Sequence, residues 1–326
     1  MEMQGTPPSF IERYFKIREK GSTVRTELLA GMTTFIAMAY ILFVNPNILA
    51  DAGIPKDAAI ASTIWIATLA SMAMGVFANY PVALAPGMGL NAFFAYYVCG
   101  VLGLHWTVAL GAVFFSGVLF LILTVGGIRQ AIINAVPRDL KLAISVGIGL
   151  FIAFIGLKGT GLIVENSATY VSLGHVTAPT TLLSLFGLLF TAALMARNVH
   201  GSILIGIFVT TILAMALGMT PAPQGLGDII STSLPHMGET FGQLDLAGAW
   251  KYGLVSIIFT FTVVELFDNM GTLIGLTTKA KMVKPDGHIE NIDKALTTDA
   301  VGTMVSAVFG TSTVTSYIES AAGIAA

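Results

Sequence analysis

Tyr80-Pro81-Val82-Ala83-Leu84-Ala85-Pro86-Gly87-Met88-Gly89-Leu90-Asn91 is an apolar stretch that cannot be one continuous helix. Two prolines and two glycines fall within nine of its residues. Each proline removes a backbone N–H, and Ala85, ahead of Pro86, is pushed to an extended conformation. Only the later part, Asn91 to Val98, reads as helix. A second stretch has the same character: Gly310-Thr311-Ser312-Thr313-Val314-Thr315-Ser316-Tyr317-Ile318-Glu319-Ser320-Ala321-Ala322-Gly323 opens with β-branched and hydroxyl residues and turns to small, helix-friendly ones. Each reads as a short extended piece followed by a half-helix. Irregular backbone at membrane depth persists only where protein or a water-filled cavity satisfies it.

The membrane setting follows from composition. Of 326 residues, 55% are hydrophobic and 10% charged, and the mean hydropathy is +0.83. Soluble domains carry about a quarter charged residues. The balance excludes a disordered chain, a nucleic-acid binder and an ordinary soluble enzyme. A net charge of −2 implies no bulk electrostatic partner. The single Cys99 excludes a disulfide framework. The chain reads as an all-α polytopic membrane protein.

Scanning for about 20 apolar residues per crossing gives ten segments, near 27–50, 58–78, 82–98, 104–126, 139–160, 179–197, 199–218, 249–276, 295–309 and 311–326. The first is too long for a signal-peptide core and has no small-residue cleavage pattern after it, so it reads as a retained span. With the N-terminus in the cytoplasm, thirteen of the sixteen Lys and Arg fall inside, and only Lys56, Lys158 and Lys251 fall outside. The loop 219–248 carries Asp228, Glu239 and Asp245 but no Lys or Arg, as an external loop can. The two broken segments are the third and the tenth, each two spans after the first or the eighth. Were the eighth span to begin a repeat of the first seven, the halves would have opposite topology. Paired broken spans in inverted repeats point to the substrate site of a secondary transporter.

Span eight contains Val263-Val264-Glu265-Leu266-Phe267-Asp268-Asn269. Glu265 lies 14 residues from both Lys251 and Lys279, which bracket the span. At 1.5 Å per residue that is about 21 Å, near the bilayer midplane. Asp268 is one turn on. A carboxylate at that depth costs roughly 3 kcal/mol on insertion scales. Short acidic side chains cannot snorkel from the midplane, which leaves a buried structural hydrogen bond or a cavity-facing, proton-coupled pair. Glu319 sits in the broken tenth span among six Ser or Thr in ten residues, whose hydroxyls can cap the half-helix and satisfy freed backbone groups. Asp299, near the start of span nine, reads either as a helix-start acid stabilised by the dipole or as a coupling group. Asn91 could cap the half-helix of span three or hydrogen-bond a ligand. Phe93, Phe94 and Tyr317 read as packing residues, one of which could stack on a flat substrate. The histidines, at 105, 175, 200, 236 and 288, have no ligand spacing, so no metal site is expected. Gly87-x-Gly89 and Gly147-x-Gly149 lie inside spans and are no dinucleotide fingerprint.

At these residues the chain resembles the AzgA-like purine permeases of the nucleobase–cation symporter-2 (nucleobase–ascorbate) superfamily. The resemblance covers essentially the whole chain. It rests on Ala30 through Ile41 with Asn45-Pro46, on Ala85 through Phe94, on Glu265-Leu266-Phe267-Asp268 with Gly271-Thr272, and on Thr313 through Gly323. It implies fourteen spans in two inverted seven-span repeats, with about ten of them present here. The expected division is a cytoplasmic segment 1–26, a first core part 27–126, a first gate part 139–218, an external loop 219–248 and an incomplete second core part 249–326. Spans three and ten would pair short antiparallel strands. The implied activity is proton-coupled uptake of adenine, guanine or hypoxanthine across the inner or plasma membrane, with the proton as coupling ion and no other cofactor.

The resemblance places the substrate carboxylates at Glu265 and Glu319. The further substrate candidates are Asn91, Phe93, Tyr317 and Ser320; Asp268 and Asp299, with Glu265, are the proton-coupling candidates. A homodimer is left open. The chain stops at Ala326 inside an apolar stretch, so the rest of the tenth span and spans 11–14 are expected to lie beyond it, and alternating access is not expected of these residues alone. The alternatives are an anion carrier of the sulfate-permease-like fold, which wants a basic or neutral site, an intramembrane enzyme, for which no nucleophile–base pair is visible, and an inert permease fragment.

Overall fold

The computed structural model of the chain describes residues 9–127, 137–199, 201–223, 225, 236–284 and 289–325. It is a mostly helical assembly. A short N-terminal helix α1 (Phe10–Tyr14) is capped by Ser9 and Glu12, and precedes α2 (Val24–Met38) and α3 (Ile41–Asp51). The first span is thus kinked rather than uniform. Leu42 N bonds to Ala39 O and Phe43 N to Tyr40 O, tight i→i−3 contacts one turn ahead of Pro46. Pro46 has no N–H for Leu42 O, and its ring crowds that carbonyl, which accounts for the tightened turn. Then follow α4 (Lys56–Ala73), strand β1 (Leu84–Pro86), half-helix α5 (Met88–Ala92) and α6 (Trp106–Val125). Wide π-helical turns extend α4 over Met74–Ala78 and α5 over Phe93–Val101.

Beyond 137 the chain forms α7 (Arg138–Gly159), a hairpin of β2 (Ile163–Asn166) and β3 (Tyr170–Leu173), α8 (Pro179–Ala196) and α9 (Ser202–Ala216). The hairpin was not expected, because four residues per strand carry too little hydrophobic alternation to register in a scan for spans. After the long loop come α10 (Leu246–Gly253), a π-helical turn (Leu254–Ile258), α11 (Phe259–Lys279), α12 (Ile292–Phe309), β4 (Val314–Ser316) and α13 (Ser320–Ala325). His200, His288, Arg129 and Asp228 lie outside the described residues.

Five helical segments are long and apolar enough to cross a membrane: Val24–Asp51, Lys56–Ala78, Trp106–Val125, Pro179–Ala196 and Ser256–Lys279. Shorter apolar helices cover Met88–Val101, Gly149–Gly159 and Ser202–Ala216. The fully buried side chains concentrate where α4, α6, α11 and α12 meet around Phe120, Leu266 and Leu273, and where α3 and α5 meet α6 around Phe94, Leu110 and Phe261. Gly117 lets α6 approach α12 closely, since a Cβ there would lie 2.8 Å from Met304 Cγ and 3.1 Å from Ala300 O. This is the small-residue contact that membrane helices use. Ser116, next door, meets α11.

Candidate functional site at a buried strand pair

The two broken segments meet. β1 and β4 pair antiparallel, with Leu84 opposite Ser316, Ala85 opposite Thr315 and Pro86 opposite Val314. Gly87 N–H donates to Thr313 O at 2.9 Å and Tyr317 N–H to Ala83 O at 3.0 Å, closing the ribbon at both ends. Gly87 is needed for close approach: a Cβ there would stand 2.8 Å from Thr315 Cγ2.

A two-stranded ribbon has two free edges, and in an apolar surround each outward N–H and C=O must find a partner. Antiparallel pairing turns the backbone groups of alternate residues outward. On β1, Leu84 N–H donates to Ser71 Oγ at 2.9 Å, and Ser71 Oγ donates to Leu84 O at 3.0 Å. Pro86 has only a carbonyl to satisfy, and Tyr317 Oη donates to it at 2.6 Å. On β4, Val314 N–H donates to Thr303 Oγ1 at 3.2 Å, and Ser316 N–H to Asn269 Oδ1 at 2.8 Å. The ribbon is therefore held by side chains from three helices, α4, α11 and α12, and by Tyr317, and is fully buried.

Around β4 lie the acids. Glu265 is completely enclosed: Thr303 Oγ1 donates to its Oε1 at 2.5 Å and Ser116 Oγ to its Oε2 at 3.1 Å. Asp299 is also enclosed and accepts from Asn269 Nδ2. Thr315 Oγ1 lies 3.0 Å from Asn269 Oδ1 and 3.1 Å from Asp268 Oδ2. Asp268 itself is half-buried. Glu319 is half-buried too, just ahead of α13, and takes the hydroxyl of Tyr40 on Oε1 at 2.5 Å. The acids thus divide by access, Glu265 and Asp299 inside and Asp268 and Glu319 at the margin.

The remaining candidates are engaged in internal contacts. Asn91 is the fourth residue of α5, not its cap; Gly87 holds the cap position. Its amide donates to Asn45 Oδ1, and Asn45 Nδ2 in turn lies 2.8 Å from Thr63 Oγ1 and 3.3 Å from Thr311 Oγ1, tying α3, α4, α5 and the approach to β4 together. Phe93 stacks on Tyr97 and meets Phe261 edge-on, both with centroids 5.1 Å apart. Ser320 Oγ accepts Ala83 N–H at 3.0 Å. Tyr40, Asn45, Ser71, Ser116, Asn269 and Thr303 were not assigned to the site from sequence, although Tyr40 and Asn45 fall within the motifs that carry the resemblance. Asn269 was within reach, one turn after Glu265, and Asn45 stands beside Pro46. Neutral hydroxyls such as Ser71 and Thr303 are common in membrane helices, bonding the preceding turn, and carry no signal alone.

A cleft of about 1720 Å³ reaches Ser71, Val82 and Ala83 beside the outer edge of β1. Lys16, Lys20, Lys279 and Lys281 also line it. Burial lowers the Lys20 ammonium from its ordinary range, with Glu27 and Glu290 opposing the shift.

The profile of the Permease family matches residues 25–326. The adenine permease AdeP of Escherichia coli K12 is 44% identical over 98% of this chain and 71% of its own length. The guanine/hypoxanthine permease PbuO of Bacillus subtilis 168 is 40% identical over 96% of this chain and 72% of its own. Among solved structures, the transmembrane domain of a cyanobacterial bicarbonate transporter, BicA, superposes with a TM-score of 0.63 over 93% of this chain and 77% of its own, at 14% identity. That likeness shows a shared transporter fold.

Proposed function

This chain belongs to the Permease family, the nucleobase–cation symporter-2 permeases its motifs resemble, and on that premise we propose that it carries purine nucleobases into the cell by symport with protons. It is a multi-pass membrane permease, and the distribution of Lys and Arg supports a cytoplasmic N-terminus. The observation that carries the reading is the acidic margin of the strand pair. A purine base presents ring N–H donors on a flat edge, and two half-buried carboxylates, Asp268 and Glu319, offer acceptors for them beside backbone held in fixed directions.

This assigns the substrate role differently from the sequence expectation: of the expected substrate residues only Glu319 keeps it, and Asp268, expected as a coupling group, joins it. Glu265 was expected to take the base, but both its oxygens are occupied by hydroxyls from α6 and α12. Glu265 and Asp299 instead suit a coupling proton, because both are enclosed among side chains of the helices and neither lies at the margin that a base would reach. Asn91, Phe93, Tyr317 and Ser320 then shape the site without touching the base. The buried clusters draw on residues 38–120 and 249–317, which supports a core formed by spans 1–4 and 8–10 moving against spans 5–7.

The test is uptake of labelled hypoxanthine into permease-deficient cells, with adenine, guanine, xanthine, uracil and sulfate as competitors and a proton uncoupler. Saturable uptake that purines block and the uncoupler abolishes is the expected result. Uptake blocked by sulfate instead would favour the anion-carrier reading, and no uptake with the protein in the membrane would overturn the purine assignment.

A further inference from the structure

Ser71 and Thr303 hold the two strands in the same manner. Ser71 Oγ lies 2.9 Å from Leu84 N and 3.0 Å from Leu84 O; Thr303 Oγ1 lies 3.2 Å from Val314 N and 3.3 Å from Val314 O. The positions correspond as well, Ser71 lying 13 residues before the strand residue it holds and Thr303 11 before its own. A hydroxyl has one proton and two lone pairs. Ser71 accepts Leu84 N–H and gives its proton to Leu84 O, so both backbone groups are satisfied.

Thr303 differs in one respect: Glu265 Oε1 competes for its proton at 2.5 Å. An ionised carboxylate is a stronger acceptor than a peptide carbonyl. While Glu265 is ionised, the Thr303 hydroxyl therefore donates to Glu265, and Thr303 holds Val314 only by accepting its N–H. When Glu265 takes up a proton, its own O–H can donate to Thr303 Oγ1. The Thr303 proton then turns to Val314 O, and β4 is gripped as Ser71 grips β1. The charged groups facing Glu265 are Asp268 on its own helix and Asp299 on α12; α6 faces it with the neutral Ser116, and β4 with backbone.

Resting on the role proposed for Glu265, we infer that Thr303 is a positioning residue that passes the charge state of Glu265 to strand β4, fastening the strand pair when the proton is aboard and loosening it when the proton leaves. The hydroxyl reorients and no covalent bond is exchanged between the residues. Because β4 carries Thr315, which touches Asp268, and leads into Glu319, the strand connects the proton site to the substrate margin.

Hydrogen exchange of the β4 segment, followed by mass spectrometry on the full chain in lipid nanodiscs, tests this. After division by intrinsic rates, wild-type exchange at Val314–Ser316 should slow by a factor of about 2–10 as Glu265 protonates, the worth of one hydrogen bond. Thr303→Ser should keep that step. Thr303→Val should lose it and exchange fast throughout, and Glu265→Gln should lose it and stay protected. A step that survives in Thr303→Val, or in Glu265→Gln, would overturn the inference, as would its absence from wild type. If Thr303→Val does not fold, Glu265→Gln against wild type decides. Purine uptake is read separately: a wild type that shows the step and carries no purine would sink the proposed function and leave the relay standing.

Discussion

The hydroxyl of Tyr40 donates to Glu319 at 2.5 Å across 279 positions of sequence. The contact joins the kink of the first span to the start of the last half-helix. Tyr40 sits in the tightened turn that precedes Pro46, so the proline in one broken element aims a donor at the acid in another. Tyr40 also packs with Met38, Ile41, Ala85 and Tyr317, which fixes its ring. A hydroxyl on a carboxylate is a charge-assisted hydrogen bond, about twice as strong as a neutral one.

Tyr40→Phe keeps the ring and removes the donor. Glu319 is then free to turn, and kcat/KM for purine uptake should fall roughly 10-fold, in line with a hydrogen bond to a charged group of about 1.5–3 kcal/mol. Transport kinetics at matched surface expression check it; an unchanged kcat/KM would mean that the contact does not orient Glu319 for the base.

The division of acids by access predicts two phenotypes. Asp268→Asn and Glu319→Gln should weaken purine binding itself, by roughly 10- to 100-fold, since each puts a donor where an acceptor is wanted. Glu265→Gln should leave binding and counterflow exchange of the base largely intact while abolishing accumulation against a gradient. Scintillation-proximity binding beside proteoliposome uptake separates them. Binding lost in Glu265→Gln but kept in Asp268→Asn would reverse the assignment.

Gly87→Ala places a methyl 2.8 Å from Thr315 Cγ2, at the end of the paired register. Overpacking of this kind costs about 1–3 kcal/mol, which should lower the thermal midpoint in detergent by several degrees. Thr315→Ser removes the opposing methyl and keeps the hydroxyl that reaches Asp268 and Asn269, so the double variant should recover part of the loss. A double variant no better than Gly87→Ala would place the strain elsewhere.

Asn45→Ala leaves the Asn91 amide and the hydroxyls of Thr63 and Thr311 without their shared partner, all of them buried. An orphaned buried polar group costs about 1–3 kcal/mol. The loss of stability should exceed that of Asn47→Ala, one turn's fraction away, whose side chain bonds only to the preceding turn at Phe43 O. Thermal unfolding of the two variants side by side gives the comparison. A double-mutant cycle of Asn45 with Asn91 should be strongly non-additive, because the second substitution removes groups that the first has already orphaned.

Much of this molecule was legible along the chain because the bilayer demands local features. Length and apolarity mark the five long apolar helical segments, Pro86 and Gly87 mark the break at β1, and the hydroxyl run 311–316 marks the break at β4. Antiparallel pairing of the two broken segments was implied by resemblance, and the structure supplies its register. Which carboxylate is enclosed was beyond reach of the sequence. Glu265 and Asp268 are three residues apart, so they differ by only about 60° around the helix axis. That small rotation puts Glu265 beneath Ser116 and Thr303 and leaves Asp268 at the margin. The choice depends on how closely Gly117 lets α6 approach and where α12 crosses. In the same way Asn91 sits beside Asn45 rather than at a cap, and Tyr40 meets Glu319. A membrane helix must satisfy its own backbone, so its sequence states where it runs and where it breaks. Side-chain partners from separate helices meet only when those helices pack, and tertiary packing alone decided them here.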